Sequence, residues 1–163
     1  EPLRLVYDVC HNIAKVETHI VAGKTVRLCV HRKGATRSFG PSRPEVPRRY
    51  REVGQPVLIP GNMEVGSYVL AGTDSALATT FGSCCHGAGR ALSRHEARRR
   101  VKGGDLRARL ESQQITVRAG SLSGLAEEAP VAYKDVDEVV VVTDASGLAR
   151  RVARTVPLGV IKG

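Results

Sequence analysis

Glycine and proline interrupt this sequence too often for any long regular element: seventeen Gly and eight Pro fall among 163 residues. Breaks of that density end helices and strands early, so the chain is built from short elements joined by many loops. Between the breaks, apolar residues return at both helical and strand spacings, with no regular strand–helix alternation. The expected fold class is α+β with a mixed sheet, in one domain or an incomplete piece of a larger one. Hydrophobic residues at 42% and charged residues at 25% fit a globular chain and argue against disorder. No apolar run nears the ~20 residues of a membrane span, and no signal peptide opens the sequence. Glu1 in place of Met marks a processed or cut start.

Val9, Ile13, Val16 and Ile20 lie on one helical stripe and predict a helix over 9–19. Ala22-Gly23-Lys24 reads as a turn into a strand over 26–31, where Val26, Leu28 and Val30 alternate. A basic loop broken by Pro41, Pro44 and Pro47 fills 32–54. Short strands over 56–60 and 67–71 flank a turn at 61–66. A small-residue loop, 81–89, leads into a strongly basic helix over 90–101, which Gly103-Gly104 ends. Beyond it the expected order is a helix over 106–112, strands over 115–118 and 139–142, a helix over 146–155 and a last strand over 156–161. No internal repeat is present.

The formal net charge is +9, and the cations cluster. Arg32, Lys33, Arg37, Arg43, Arg48, Arg49 and Arg51 form one group, and Arg90 through Arg109 carries a second. Clustered cations suggest a polyanionic partner, nucleic acid first, with a solvated basic surface as the alternative. Two Phe, four Tyr and no Trp leave little for stacking single-stranded bases, so contacts through phosphate are expected. The four cysteines, Cys10, Cys29, Cys84 and Cys85, contain no CxxC pair and are expected as reduced, mostly buried thiols in a cytoplasmic setting. Cys84, Cys85 and His86 are consecutive and point in different directions, which makes a poor zinc clamp.

The strongest local signal is Gly82-Ser83-Cys84-Cys85-His86-Gly87-Ala88-Gly89-Arg90 before the expected basic helix. Glycines let backbone N–H groups approach an anion, and a histidine in such a cradle sits where a phosphoryl group binds. Its neutral imidazole can attack phosphorus; the alternative is a glycine-rich turn with a surface histidine. His11-Asn12 pairs a nitrogen suited to Mn, Zn or Fe with a side chain able to hold a phosphate, although one His does not make a metal site. Val30 to Arg37 alternates cations with small residues, as an anion-binding segment or an exposed turn does. Lys162 is either a frayed end or is returned to the core by the last strand.

Taken together, YDVCHNIAKVETH from Tyr7, VHRKGATRSF from Val30, GQPVLIPGNM from Gly54, FGSCCHGAGRALSR from Phe81, EEAPVAYKDVDEVV from Glu127 and PLGVIKG from Pro157 resemble the C-terminal part of the RtcB-type RNA-splicing ligases. Six ordered motifs carry the resemblance over essentially the whole chain. It implies an enzyme that uses GTP and Mn²⁺ to join RNA 3′-phosphate or 2′,3′-cyclic phosphate ends to 5′-hydroxyl ends. It further implies His86 as the nucleophile that carries GMP, His11 as a metal ligand, and Asn12 beside the nucleotide. Pro60, Gly61, Asn62, Met63, Ser67, His86, Gly87, Ala88, Gly89 and Lys162 match nucleotide-contacting segments, with Tyr133 a candidate for the guanine pocket. Lys33, Arg90 and Arg94 are the candidates for phosphates of GTP or RNA.

The sequence departs from the family pattern as well. The family's other metal ligands, a Cys and two His, belong to motifs upstream of this chain, as does a Gly-Asn-His segment at the nucleotide. Glu64 stands where the family commonly has Gly, and Gly40 where Pro is usual; an acidic Glu64 would either disturb phosphate binding or point to solvent. The reading is thus a ligase fragment that needs the upstream half for a complete site. Its alternatives are an inactive RNA-binding domain and a transferase that uses His86 without the upstream metal site.

Overall fold

A computed structural model describes residues 2–163. The chain opens with a two-stranded hairpin, β1 (Asn12–Val21) and β2 (Lys24–Lys33), paired in register from Asn12↔Lys33 to Val21↔Lys24. Ala22 and Gly23 both take positive φ, 48° and 75°, the two-residue turn whose twist matches an antiparallel ribbon. The expected helix over 9–19 is therefore a strand. The β-branched residues Ile13, Val16, Thr18, Ile20 and Val21 suit a pleated ribbon, and pairing with β2 outweighs the coincidental helical spacing. The stripe also marked the wrong side: Val16 and Ile20 are exposed, while Glu17 and His19 are buried.

The stretch expected as one basic loop contains β3 (Ala35–Arg37) and a 3₁₀ turn at Arg48–Tyr50. β3 pairs antiparallel with β6 (Ser83–Cys85), matching Ala35 to Cys85 and Thr36 to Cys84. β4 (Pro56–Ile59) and β5 (Ser67–Gly72) lie where they were expected and form an antiparallel sheet with β8 (Ala149–Thr155) in the order β4-β5-β8. β7 (Thr116–Ala119) and β9 (Gly159–Lys162) pair in parallel.

Five helices pack on these ribbons: α1 (Ser75–Thr80), α2 (Arg94–Arg100), α3 (Gly103–Ser112), α4 (Leu122–Glu127) and α5 (Val136–Ala145). α1 and α4 are short and had no clear signature in sequence. α2 starts at Arg94 rather than 90, because the Ser93 side chain accepts from the Glu96 N–H and caps it there. The Gly-rich stretch therefore does not open a helix, and no helix dipole acts on it. Gly103 and Gly104 begin α3 instead of ending α2. A Cβ on Gly103 would lie 2.0 Å from the Leu122 carbonyl oxygen, so the start of α3 packs directly on α4.

Two expectations reverse near the C-terminus. The valine run expected as a strand over 139–142 is inside α5, whose Asp135 cap accepts from Asp137 N–H and whose Val136, Val140 and Thr143 form the buried stripe. The segment expected as a helix over 146–155 is β8. Gly147, at φ 67°, ends α5, and the Leu148 N–H bonds back to Thr143, turning the chain into the sheet.

Two apolar clusters hold the elements together. One joins Leu106 and Leu110 of α3 with Met63, Val117, Leu125 and Val160; the other joins Val57, Ile59 and Leu70 with Cys84, Val136 and Val140. Of the thiols expected to be buried, Cys84 is, Cys85 is half-buried, and Cys10 and Cys29 are exposed. Among the described residues no helix is long and apolar enough to cross a membrane.

Candidate active site

His11 immediately precedes β1, Gly34 immediately follows β2, and His86 immediately follows β6. The open end of the hairpin brings all three together. Gly34 N–H donates to the His11 carbonyl at 2.9 Å, and the Gly34 carbonyl accepts from His86 N–H at 3.3 Å. Gly34 holds φ 65°, a left-handed geometry that suits glycine. The imidazoles of His11 and His86 consequently stack, with ring centroids 4.0 Å apart and planes 9° from parallel. Burial, and then the neighbouring His11, push the His86 pKa below its ordinary value, which favours the neutral ring. Its Nδ1 is buried and has no hydrogen-bond partner among the described residues, so Nε2 is the accessible nitrogen. Asn12 and Lys33, paired across the hairpin and both exposed, flank the stack.

A cleft of about 440 Å³ is lined by Pro60, Gly61, Asn62, Met63, Ser67, Glu128, Tyr133 and the β9 residues Gly159 to Lys162. Its floor is a tight turn. Asn62 Oδ1 accepts from the N–H groups of Glu64 and Val65, each at 3.0 Å, and Ser67 Oγ accepts from Gly61 N–H at 3.1 Å. A Cβ on Gly61 would lie 2.0 Å from the Gly66 carbonyl oxygen, so this turn needs glycine. Parallel pairing with β7 sets Lys162 opposite Ala119 and brings it into the cleft rather than leaving a frayed end. The His86 loop adjoins the cleft, since a Cβ on Gly87 would come 3.8 Å from the Pro60 carbonyl oxygen.

The three cations singled out from sequence differ in what they can reach. Arg90 uses all three nitrogens internally: Nε donates to the Leu92 carbonyl, Nη2 to the Glu127 carbonyl, and Nη1 to Glu128 and the Tyr133 hydroxyl. Its guanidinium also sits 5.0 Å from the Tyr133 ring centre. Lys33 and Arg94 are exposed, with Arg94 only 3.6 Å from Glu128. Much of the basic helix is balanced locally too, Arg98 by Glu127 and both Arg99 and Arg100 by Glu96.

Glu128 was not singled out from sequence. It accepts the Tyr133 hydroxyl's hydrogen bond and lies near Lys162, Arg90 and Arg94. Burial acts to raise its pKa, but the Tyr133 hydrogen bond and those cations outweigh burial and hold the carboxyl below its usual range. Glu64 neither enters the cleft nor points freely to solvent; it accepts from Arg109 Nη2 at 3.1 Å and Gln113 Nε2 at 3.0 Å, fastening the turn after Asn62 to the C-terminal end of α3. Gly40 packs against Asp74, where a Cβ would fall 2.2 Å from Oδ1.

Arg32, within the segment that reads as anion-binding, is 2% exposed and faces inward. It grips Glu17 through two bonds of 2.8 and 2.9 Å, with His19 3.0 Å from the same carboxylate. Its remaining donors reach Ser83 Oγ and the Phe81 carbonyl, on the segment entering β6. Burial opposes ionisation of Glu17, but the bonds from Arg32 and His19 prevail and lower its pKa. A charge at an inward position of an alternating strand was the signal in sequence. Among the described residues no group of three or more His, Cys, Asp or Glu could hold a metal ion.

A family model described as tRNA-splicing ligase RtcB matches residues 1–163. The tRNA-splicing ligase RtcB of Pyrococcus horikoshii is 58% identical over 159 residues, covering 98% of this chain and 18% of that protein. The protein of the same name from Thermococcus kodakarensis is 58% identical over 161 residues, 99% of this chain and 33% of its own length. The RNA-splicing ligase RtcB of Mycobacterium tuberculosis is 57% identical over 162 residues, 99% of this chain and 37% of its own. The chain thus spans between about a sixth and little more than a third of the curated relatives it matches. Its whole length is covered at an identity that leaves no ambiguity of fold or ancestry, and the chain belongs to the RtcB family.

Proposed function

We propose that this chain supplies the nucleophile and the nucleotide cleft of a GTP-dependent ligase that joins RNA 3′-phosphate or 2′,3′-cyclic phosphate ends to 5′-hydroxyl ends. The observation that carries the reading is the stack of His86 on His11 beside the cleft. In this reading, Nε2 of His86 bonds to the α-phosphorus of GTP while the bond to the pyrophosphate oxygen breaks. Pyrophosphate leaves with the electron pair and the ring gives up its proton. The neutral state that burial favours is the one with a lone pair to offer. GMP passes from His86 to the RNA 3′-phosphate, and the 5′-hydroxyl attacks that activated phosphate and releases GMP.

The turn at Pro60 to Met63 holds the nucleotide, together with Ser67, Tyr133, Lys162 and the loop from Gly87 through Ala88 to Gly89. Asn12 orients its phosphates next to His86. Lys33, across the hairpin from Asn12, is the exposed cation for phosphate oxygens near His86, and Arg94, exposed beside Glu128, is one for RNA phosphates, whereas Arg90 holds the Tyr133 wall in place. His11 offers one imidazole nitrogen of a type that Mn²⁺ accepts, the other ligands coming from the portion found upstream in longer relatives. Bound there, the ion supplies charge neutralisation at the transferring phosphoryl group.

The test is incubation with α-labelled GTP and Mn²⁺, with and without the upstream portion of a relative. Label should enter the chain only with that portion, through a bond labile to acid and stable to alkali. Alkali-labile label would overturn a phosphoramidate, and label taken up by the chain alone would favour the stand-alone transferase. RNA binding through the exposed cations should weaken along a salt series with a log–log slope of about −0.7 per phosphate contact. Affinity unaffected by salt would remove the phosphate-contact reading.

A further inference from the structure

Among the described residues, Glu128 is the one carboxylate in the wall of a cleft read as nucleotide-binding. An ionised carboxylate repels phosphate, so the phosphates belong at the His86 end, beside Pro60, and Glu128 marks the end that receives the base. We propose that Glu128 sets specificity for guanine by accepting hydrogen bonds from the base's N1–H and 2-amino groups. This assignment rests on the reading of the cleft given above.

The chemistry selects the base. An ionised carboxylate only accepts, and guanine presents two adjacent donors on its Watson–Crick edge. Adenine has no 2-amino group, and its N1 is an acceptor that would face the carboxylate lone pairs. Guanine O6 is left for a donor, and Lys162 lines the same cleft. Glu128 retains the capacity for these bonds. Oε2 takes the Tyr133 hydroxyl, while Oε1 has Arg90 at 3.3 Å and Arg94 only at 3.6 Å, against about four lone-pair sites on the two oxygens. The surrounding cations keep the carboxyl ionised at neutral pH. The Tyr133 hydroxyl and Arg90 hold it in one orientation, as a group that reads a base requires.

The experiment compares binding of GMP and IMP, which differ only by the 2-amino group, to this chain supplied with the upstream portion of a relative, by titration followed by NMR. Every residue of the proposed contact is present in the chain. GMP should bind about tenfold more tightly than IMP, since a hydrogen bond to a charged group is lost with the amine. Glu128→Gln turns one acceptor into a donor, so GMP affinity should fall about tenfold and the preference over IMP should shrink to about twofold. Tyr133→Phe removes one of the two groups that orient Glu128 but leaves Arg90 on Oε1 and both carboxylate oxygens as acceptors, so it should keep most of the preference. Equal binding of GMP and IMP by the unaltered chain overturns the assignment without recourse to any variant. A preference retained in Glu128→Gln, or lost equally in Tyr133→Phe, also overturns it, the latter by making Glu128 a support for Tyr133. In all these cases nucleotide binding itself survives. Failure of the unaltered chain to bind either nucleotide is a different result: it removes the reading of the cleft, and the assignment with it.

Discussion

Replacing His86 with alanine should abolish transfer of GMP to the chain, a loss of about a thousandfold or more in labelling with GTP, Mn²⁺ and the upstream portion present. No other imidazole has the same approach: His11 lies against the other face of the stack, His19 is buried against Glu17, and His31 and His95 are on exposed surfaces elsewhere. A bound nucleophile gains its rate from position, and position is what the substitution removes. His11→Ala should act differently. Labelling should weaken and recover in part at high Mn²⁺, because His11 would bind the ion and not the phosphorus. Acid-labile label persisting in the His86→Ala protein would place the nucleophile elsewhere, with His31 and His95 the next to replace.

Arg32→Ala should cost about 3–5 kcal/mol of folding stability, read by urea denaturation, because it leaves Glu17 buried without its partner. Replacing both partners, as in Glu17→Leu with Arg32→Met, should recover much of that loss, since no uncompensated charge then remains. The effect depends on pH. Glu17 has its pKa lowered in the folded protein, so the pair's contribution is present in full above the ordinary carboxylate range. It is lost as acid protonates the carboxyl below that range. The gap between Arg32→Ala and the unaltered protein should therefore narrow in acid. A loss under about 1 kcal/mol at neutral pH would mean the pair is solvated in solution. Arg32 also holds the Phe81 carbonyl on the segment entering β6, so the same substitution should loosen the placement of His86.

Motif order carried most of the candidate site. Pro60 to Met63, Ser67, Tyr133 and Lys162, which lie far apart in sequence, line one cleft, and His86 meets His11 at its edge. Strands were also legible, β2 by its period-two alternation and β4 and β5 as short apolar runs on either side of a glycine-bounded turn. The failures share a cause. β1 carried a helical stripe, α5 a β-branched run and β8 a helix-like composition, and in each case a partner or cap outweighed local preference. Pairing with β2 made β1 a strand, the Asp135 cap and a buried stripe made the valines helical, and the edge of β5 recruited β8.

The sequence alone determined the family and the segments that matter: the His86 loop, the glycines that permit tight turns, and the Pro60 to Met63 stretch all stand out by residue identity and motif order. The tertiary structure alone decided which charges stay free. Arg32 and Arg90 read as two cations among many, yet one is buried on Glu17 and the other is bound to Leu92, Glu127, Glu128 and Tyr133. Glu128 gained its place in the cleft the same way. A side chain's charge is local, but what neutralises it arrives from distant strands and loops, through contacts that sequence spacing does not encode.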